Sequence, residues 1–295
     1  MHAVKRKVRM KPAAVLVVVL LAAIFLVALR WGHTDSPAGE TPSPAEPAAA
    51  GVIGADIDPA REPEGGEPEP SPVPQQPARA IDPDKPMVAL TFDDGPSGEY
   101  SPRILDCLEA NGAVATFFEI GCNVDSYPEI DKRAWDLGCE IGCHSYYHKV
   151  LPGQTPEQIA EDQRLCRGAF EKAIGVEPSI IRPPQGSVVK SILSQYEQIF
   201  VGWSVDTEDW LYKSVDHTVS RVKQAGDLDG QVILMHSIYK ESAEAAEILV
   251  PWLLEQGYQL VTVSELFQHH YGITPESHYY YAYDYFISDG ALMLS

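Results

Sequence analysis

The chain has 295 residues, 45% of them hydrophobic, which is enough to bury a sizeable core in one or two domains. Six of its 22 basic residues and none of its 42 acidic ones fall in the first 30 positions, so a formal charge of −20 becomes −26 for the remainder. A surface this acidic repels nucleic acid and excludes it as a partner.

Lys5, Arg6, Lys7, Arg9 and Lys11 precede an unbroken apolar run from Ala13 to Leu29, closed by Arg30. These 17 residues are just long enough to span a bilayer as one helix, and no small-residue cleavage pattern follows them. Residues 1–30 therefore read as a basic cytoplasmic stub and an uncleaved transmembrane signal anchor. The basic flank places the rest of the chain outside the cell membrane, as a single-pass protein. Residues 31–86 then hold 13 of the 24 prolines, with acidic residues and almost no aromatic ones. Such a segment buries too little apolar area to offset its ordering entropy, so 31–85 reads as a disordered, self-repelling stalk.

From residue 86 to 267 short apolar runs alternate with helix-like stretches. Strands are expected at Met87–Thr91, Val114–Phe118, Glu140–Cys143, Ser179–Ile181, Phe200–Val205, Gln231–Met235 and Gln259–Val261. Helices are expected at Pro102–Ala110, Pro128–Leu137, Pro156–Ile174, Val188–Gln195, Val215–Ala225 and Ser242–Glu255. Ser101 and Thr155 stand where N-caps belong, and Gly112, Gly138, Gly175 and Gly257 stand where helices stop. Regular alternation argues for an α/β domain with a parallel sheet of about seven strands, either closed as a barrel or doubly wound. Residues 268–295 form a Tyr-rich extension that packs as an extra strand or offers a partner surface; packing is the simpler reading. Five cysteines allow two disulfides and one free thiol, with connectivity unreadable. Cys139 and Cys143 beside His144 suggest a zinc–thiolate site, but the same segment carries a harder and more complete ligand set.

Polar residues recur at the ends of the expected strands, where loops converge in parallel α/β architectures. Asp93 and Asp94 close the first strand; adjacent carboxylates there point in different directions, although an Asp-Gly-Pro turn alone would be unremarkable. His144 and His148 follow the third strand, and their four-residue spacing puts both imidazoles on one side of a helical turn. One carboxylate and two imidazoles leave coordination positions for water and substrate, as catalytic metal sites do. Arg182 opens Arg182-Pro183-Pro184-Gln185-Gly186, in which the prolines stiffen the turn and Gly186 admits close backbone approach. Asp209 and Trp210 follow the fifth strand, and His236 ends the sixth, within reach of a carboxylate from the preceding strand end.

Taken in order, these five elements resemble the polysaccharide deacetylases of carbohydrate esterase family four, the nodulation-protein-B-like deacetylases. The resemblance covers about 86–267 and extends to Ala115-Thr116-Phe117-Phe118 and to Val261-Thr262-Val263-Ser264-Glu265-Leu266. It implies a distorted (β/α) barrel and a divalent metal, commonly zinc, with cobalt, manganese or nickel as alternatives. Asp94, His144 and His148 are then the ligands, Asp93 the general base tethered by Arg182, and His236 the general acid oriented by Asp209. Leu234 and Trp210 would wall the acetyl pocket, and the backbone N–H of Gln185 would contact the oxyanion. The chain departs from the family's pattern at Gln185, where Tyr is usual, and at Lys149, where Pro is usual; neither change removes a ligand, base or acid.

The resemblance implies removal of N-acetyl groups from a cell-surface polysaccharide, with N-acetylglucosamine of peptidoglycan expected because the anchor and stalk place the site at the wall. An O-acetyl esterase or an exopolysaccharide deacetylase would use the same residues. A non-catalytic glycan-binding protein on the same fold is the alternative from another class, and the intact set of ionisable groups argues against it.

Overall fold

The computed structural model describes residue 76, residues 79–282 and residues 291–293. The expected anchor at 1–30 and the stalk as far as residue 75 lie outside these residues. Among the described residues no helix is long and apolar enough to cross a membrane. The described end of the stalk is docked on the domain. Arg79 pairs with Glu265 at 2.6 Å, and the Gln259 side chain accepts from the Asp82 N–H and donates to the Asp82 carbonyl. Composition extends the spacer to residue 85; within it Gln76, Arg79 and Asp82 make contacts with the domain.

The elements, in chain order, are β1 (Met87–Asp93), α1 (Ser101–Ala110), β2 (Thr116–Glu119), α2 (Gly121–Ser126), α3 (Pro128–Asp136) and β3 (Glu140–Cys143). Next come α4 (Pro156–Ile174), β4 (Ile180–Ile181), α5 (Lys190–Leu193), β5 (Ile199–Val201), β6 (Val205–Asp206), α6 (Asp209–Tyr212) and α7 (Val215–Gln224). The last are β7 (Val232–His236), α8 (Lys240–Glu255), β8 (Gln259–Leu260), α9 (Val263–His269), β9 (Tyr280–Ala282) and β10 (Ala291–Met293). Thr155 caps α4 in a reciprocal box with Gln158, and Gly175 ends that helix at φ 82°. Ser101 does not cap α1 as the sequence suggests. It is the first helical residue, and the Ser97 hydroxyl accepts the Tyr100 and Ser101 N–H groups instead.

Every strand pairing is parallel, in the order β10-β9-β5-β4-β3-β2-β1-β7-β6, with β8 beside the start of β1. The expected strand Phe200–Val205 is in fact two strands at opposite ends of a seven-strand ladder, β5 against β4 and β6 against β7. Only Gly202, Trp203 and Ser204 separate them, a span of at most about 14 Å between Cα atoms. The ladder must therefore curl back on itself into a distorted barrel whose seam is crossed by chain rather than by strand pairing. The C-terminal extension contributes β9, which pairs with β5 outside this ring.

Side chains along the strands alternate between two layers. Val88, Leu90, Phe92, Ile141, Cys143, Ile181, Ile233 and Met235 join the cluster beneath the helices, with Leu105, Phe170 and Leu249. Met87, Ala89, Phe118, Ile180, Val201 and Val232 join an inner cluster, which Val263, Leu266 and Phe267 complete. Extending the inner parity along β1, β4 and β7 carries Thr91 and Asp93, Arg182, and Leu234 and His236 toward the barrel axis. The apolar filling thus gives way to polar residues at the C-terminal strand ends.

Candidate active site

Arg182 is fully buried, a costly position for a guanidinium without partners. Its Nη1 donates to Asp93 Oδ1 at 2.6 Å and to Thr91 Oγ1 at 2.8 Å, and its Nη2 to the Gly202 carbonyl at 2.8 Å. The guanidinium carbon lies 4.0 Å from the Phe118 ring centroid, so the side chain crosses the barrel beneath the cavity. One oxygen of Asp93 is thereby fixed, while Oδ2 faces His144 Nε2 at 3.8 Å.

Strand alternation would send Asp94 away from its neighbour. Its φ of 72° turns the chain so that both carboxylates face the same space. Asn123 holds this turn by donating to the Asp94 carbonyl at 2.9 Å. The spacing of His144 and His148 suggests a helical turn, but the segment is a loop with left-handed residues at Ser145 (61°) and His148 (55°). These two reversals, rather than helix periodicity, bring the imidazole centroids to 5.0 Å.

Asp94 Oδ1 is buried without a hydrogen-bond partner and lies 3.3 Å from Nε2 of both His144 and His148. His144 Nδ1 donates to the Arg182 carbonyl at 2.7 Å, which leaves the Nε2 lone pair directed at Asp94. One ligand atom from each of the three residues falls within 4.8 Å of the others. An orphaned carboxylate oxygen between two oriented imidazole nitrogens fits a divalent cation. Burial holds the proton affinity of His148 below its ordinary value, which favours the neutral ligating ring. Burial would raise the pKa of Asp94, but the surrounding imidazoles, His144 foremost with His236 and His148, hold it below the usual carboxylate value. Cys143 points to the outer layer, so the thiolate alternative is not built.

Across the cavity, His236 Nδ1 donates to Asp209 Oδ1 at 2.8 Å. Asp209 is 1% exposed and also accepts from the His236 and Trp210 N–H groups and the Ser242 hydroxyl. Burial alone would lower the pKa of His236. The hydrogen bond and charge of Asp209, followed by the charges of Asp93 and Asp94, raise it above the ordinary imidazole value. Burial pushes Asp209 up, and its bonds to His236 and Ser242 bring it below the usual value.

Between these groups lies a cavity of about 500 Å³. Asp93, Asp94, His144, His148, Gln185, Leu234, Trp210 and His236 line it, whereas Arg182 and Asp209 stand behind the groups they hold. Gln185 sits at φ 59° in a short 3₁₀ turn. A Cβ on Gly186 would come within 2.8 Å of the Trp203 ring, which is the close approach that the glycine permits. Trp203 and Tyr239, which carry no sequence signal of their own, also line the cavity, as does Asp206, which opens the run Asp206-Thr207-Glu208-Asp209-Trp210 without a role assigned to it there. Trp203 is hidden inside an apparently continuous strand, Tyr239 lies just past the His236 signal, and Asp206 is one of three acidic residues in four positions.

The fold and the site define a parallel α/β barrel domain with a three-residue metal cradle facing a histidine–aspartate pair. A family profile described as polysaccharide deacetylase matches residues 80–200. The chain is 40% identical over 187 residues to the peptidoglycan-N-acetylmuramic acid deacetylase PdaC of Bacillus subtilis, covering 63% of this chain and 40% of that protein. It is 37% identical over 180 residues to the peptidoglycan-N-acetylglucosamine deacetylase PgdA of Listeria monocytogenes, covering 61% of this chain and 38% of that protein. Among solved structures, "T48 deacetylase with substrate" superposes with a TM-score of 0.64 at 40% identity, over 68% of this chain and 98% of that one. The chain belongs to the polysaccharide deacetylase family. It spans about two fifths of the length of the two curated relatives named here, 40% and 38%.

Proposed function

We propose that the protein hydrolyses N-acetyl groups on peptidoglycan, with N-acetylglucosamine as the residue acted on. One observation carries this reading: Asp93, held by Arg182, and His236, held by Asp209, share a cavity with the Asp94–His144–His148 cradle. A divalent ion in that cradle, zinc by the chemistry of one carboxylate and two imidazoles, makes the acetyl carbonyl more electrophilic and nearby water more acidic.

The chain's own residues supply the proton transfers. Asp93 Oδ2, the oxygen not engaged by Arg182, accepts the proton of the attacking water. Arg182 fixes the carboxylate plane so that this oxygen stays turned to the cavity. His236 Nε2 delivers a proton to the departing amine, because Nδ1 is committed to Asp209. Without that proton an amide nitrogen is a very poor leaving group. Leu234 and Trp210 enclose the acetyl methyl group, and the Gln185 N–H receives the developing oxyanion.

The apolar run 13–29 and the proline-rich stalk support a place at the outer face of the cell membrane, where the wall would be in reach. The reading is tested by incubating the chain with zinc and peptidoglycan, chitooligosaccharides or acetylated xylan, and identifying products by mass spectrometry. Deacetylated glucosamine residues are the expected product. Acetate released from xylan alone would replace this reading with an O-acetyl esterase. Deacetylated muramic acid alone would move the target to the other peptidoglycan sugar.

A further inference from the structure

We propose that Cys143 and Cys166 are joined by a disulfide formed as the domain folds, cross-linking the end of β3 to helix α4. The two sulfurs lie 3.3 Å apart, and the residues are 3% and 2% exposed. Reaching a bond of about 2.05 Å requires each sulfur to move by roughly 0.6 Å. Strand parity explains the meeting. Cys143 faces the outer layer, where α4 packs, while the next residue, His144, turns into the cavity.

The other three cysteines offer no such contact. Cys107 Sγ lies against the Ala246 carbonyl, Cys122 Sγ against the Asn123 side chain, and Cys139 occupies the turn before the far end of β3. Among the pairings the sequence leaves open, the fold brings together one.

The cross-link would act on the loop that carries the metal cradle. One turn before Cys166 on the same face of α4, Asp162 accepts the Tyr146 N–H at 3.0 Å. The Cys143 carbonyl, in turn, accepts the Arg182 N–H at 2.9 Å. A bond between Cys143 and Cys166 pins both the start of the His144–His148 loop and the backbone beside Arg182 to one helix.

The chemistry balances as thiol–disulfide exchange. One cysteine thiolate attacks an incoming disulfide, R–S–S–R, forming a mixed disulfide and releasing R–S⁻. The second thiolate displaces the other R–S⁻ and closes the bond. The two cysteine protons leave on two molecules of R–SH. Both sulfurs are buried in the folded domain, so exchange belongs to the folding chain, and the finished bond is shielded from reductants.

The test is to refold the full, reduced and denatured chain in mixed reduced and oxidised glutathione. The soluble fraction is then alkylated, digested without reductant, and its peptides analysed by mass spectrometry. The expected result is one linked pair containing Cys143 and Cys166, about 2 Da lighter than the sum of its thiol peptides, with Cys107, Cys122 and Cys139 alkylated. Reductant should lower the thermal midpoint of this material by roughly 5–10 °C, and should leave that of a Cys143→Ser/Cys166→Ser double variant unchanged. Alkyl groups on both Cys143 and Cys166, or a link from either to another cysteine, overturns the proposal. Neither readout depends on deacetylase activity.

Discussion

The two sides of the cavity are built on opposite principles. On the β1–β3 side, Asp94 Oδ1 is buried without a partner between two imidazole nitrogens. On the β7–α8 side, the whole Asp209 side chain is buried, and four donors surround it. An unsatisfied buried carboxylate is costly and is tolerated where a ligand completes it; a saturated one is a fixed charge that tunes its neighbour. One side is therefore a receptor for a cation, and the other a poised proton donor.

The largest effect expected from this contrast comes from the unsatisfied side. Chelation, or Asp94→Ala, should remove the metal and several kcal/mol of transition-state stabilisation, a fall of about a thousandfold in kcat/KM. Metal analysis and recovery of the chelated wild type on adding zinc check this. Activity that survives complete metal loss would break the assignment. Asp93→Asn should lower kcat by about 10²–10⁴-fold while the bound metal stays stoichiometric, which separates the base from the ligands beside it.

On the saturated side, Asp209→Asn should act through the acidity of His236. The raised pKa of His236 keeps the acid form present to a higher pH than an ordinary imidazole would, and activity is lost as pH rises through it. Removing the carboxylate leaves burial to lower that pKa, so the alkaline limb of the kcat/KM profile should move to lower pH. A drop in rate with the limb unmoved would make Asp209 a packing residue only.

The smallest effect concerns stability. Asp131 on α3 is fully buried with neither carboxylate oxygen partnered, and burial pushes its pKa up to about 8. A folded-state pKa above the unfolded value contributes stability at low pH that is lost as pH rises through about 8. Asp131→Asn should therefore keep its thermal midpoint between about pH 4 and 8 better than the wild type, by several degrees in scanning calorimetry. Parallel curves for the two proteins would mean that this carboxyl finds a partner in solution.

The sequence by itself determined the α/β alternation, because apolar runs of strand length between capped amphipathic helices admit few other folds. It also set polar residues at the strand ends in a fixed order, and the family resemblance of those motifs implies the ten residues assigned to the site. Tertiary structure decided what depends on pairing between distant segments. Phe200–Val205 reads as one strand from its apolar pattern, yet pairing at both edges of the ladder splits it and makes the barrel's seam. Asp94 and His148 reach their places through positive φ angles that side-chain spacing does not encode, and Trp203 lines the cavity because the seam turns there. The cysteines carry the same lesson. Their number is written in the chain, but the approach of Cys143 to Cys166 exists only once strand parity and helix packing have set the two sulfurs face to face.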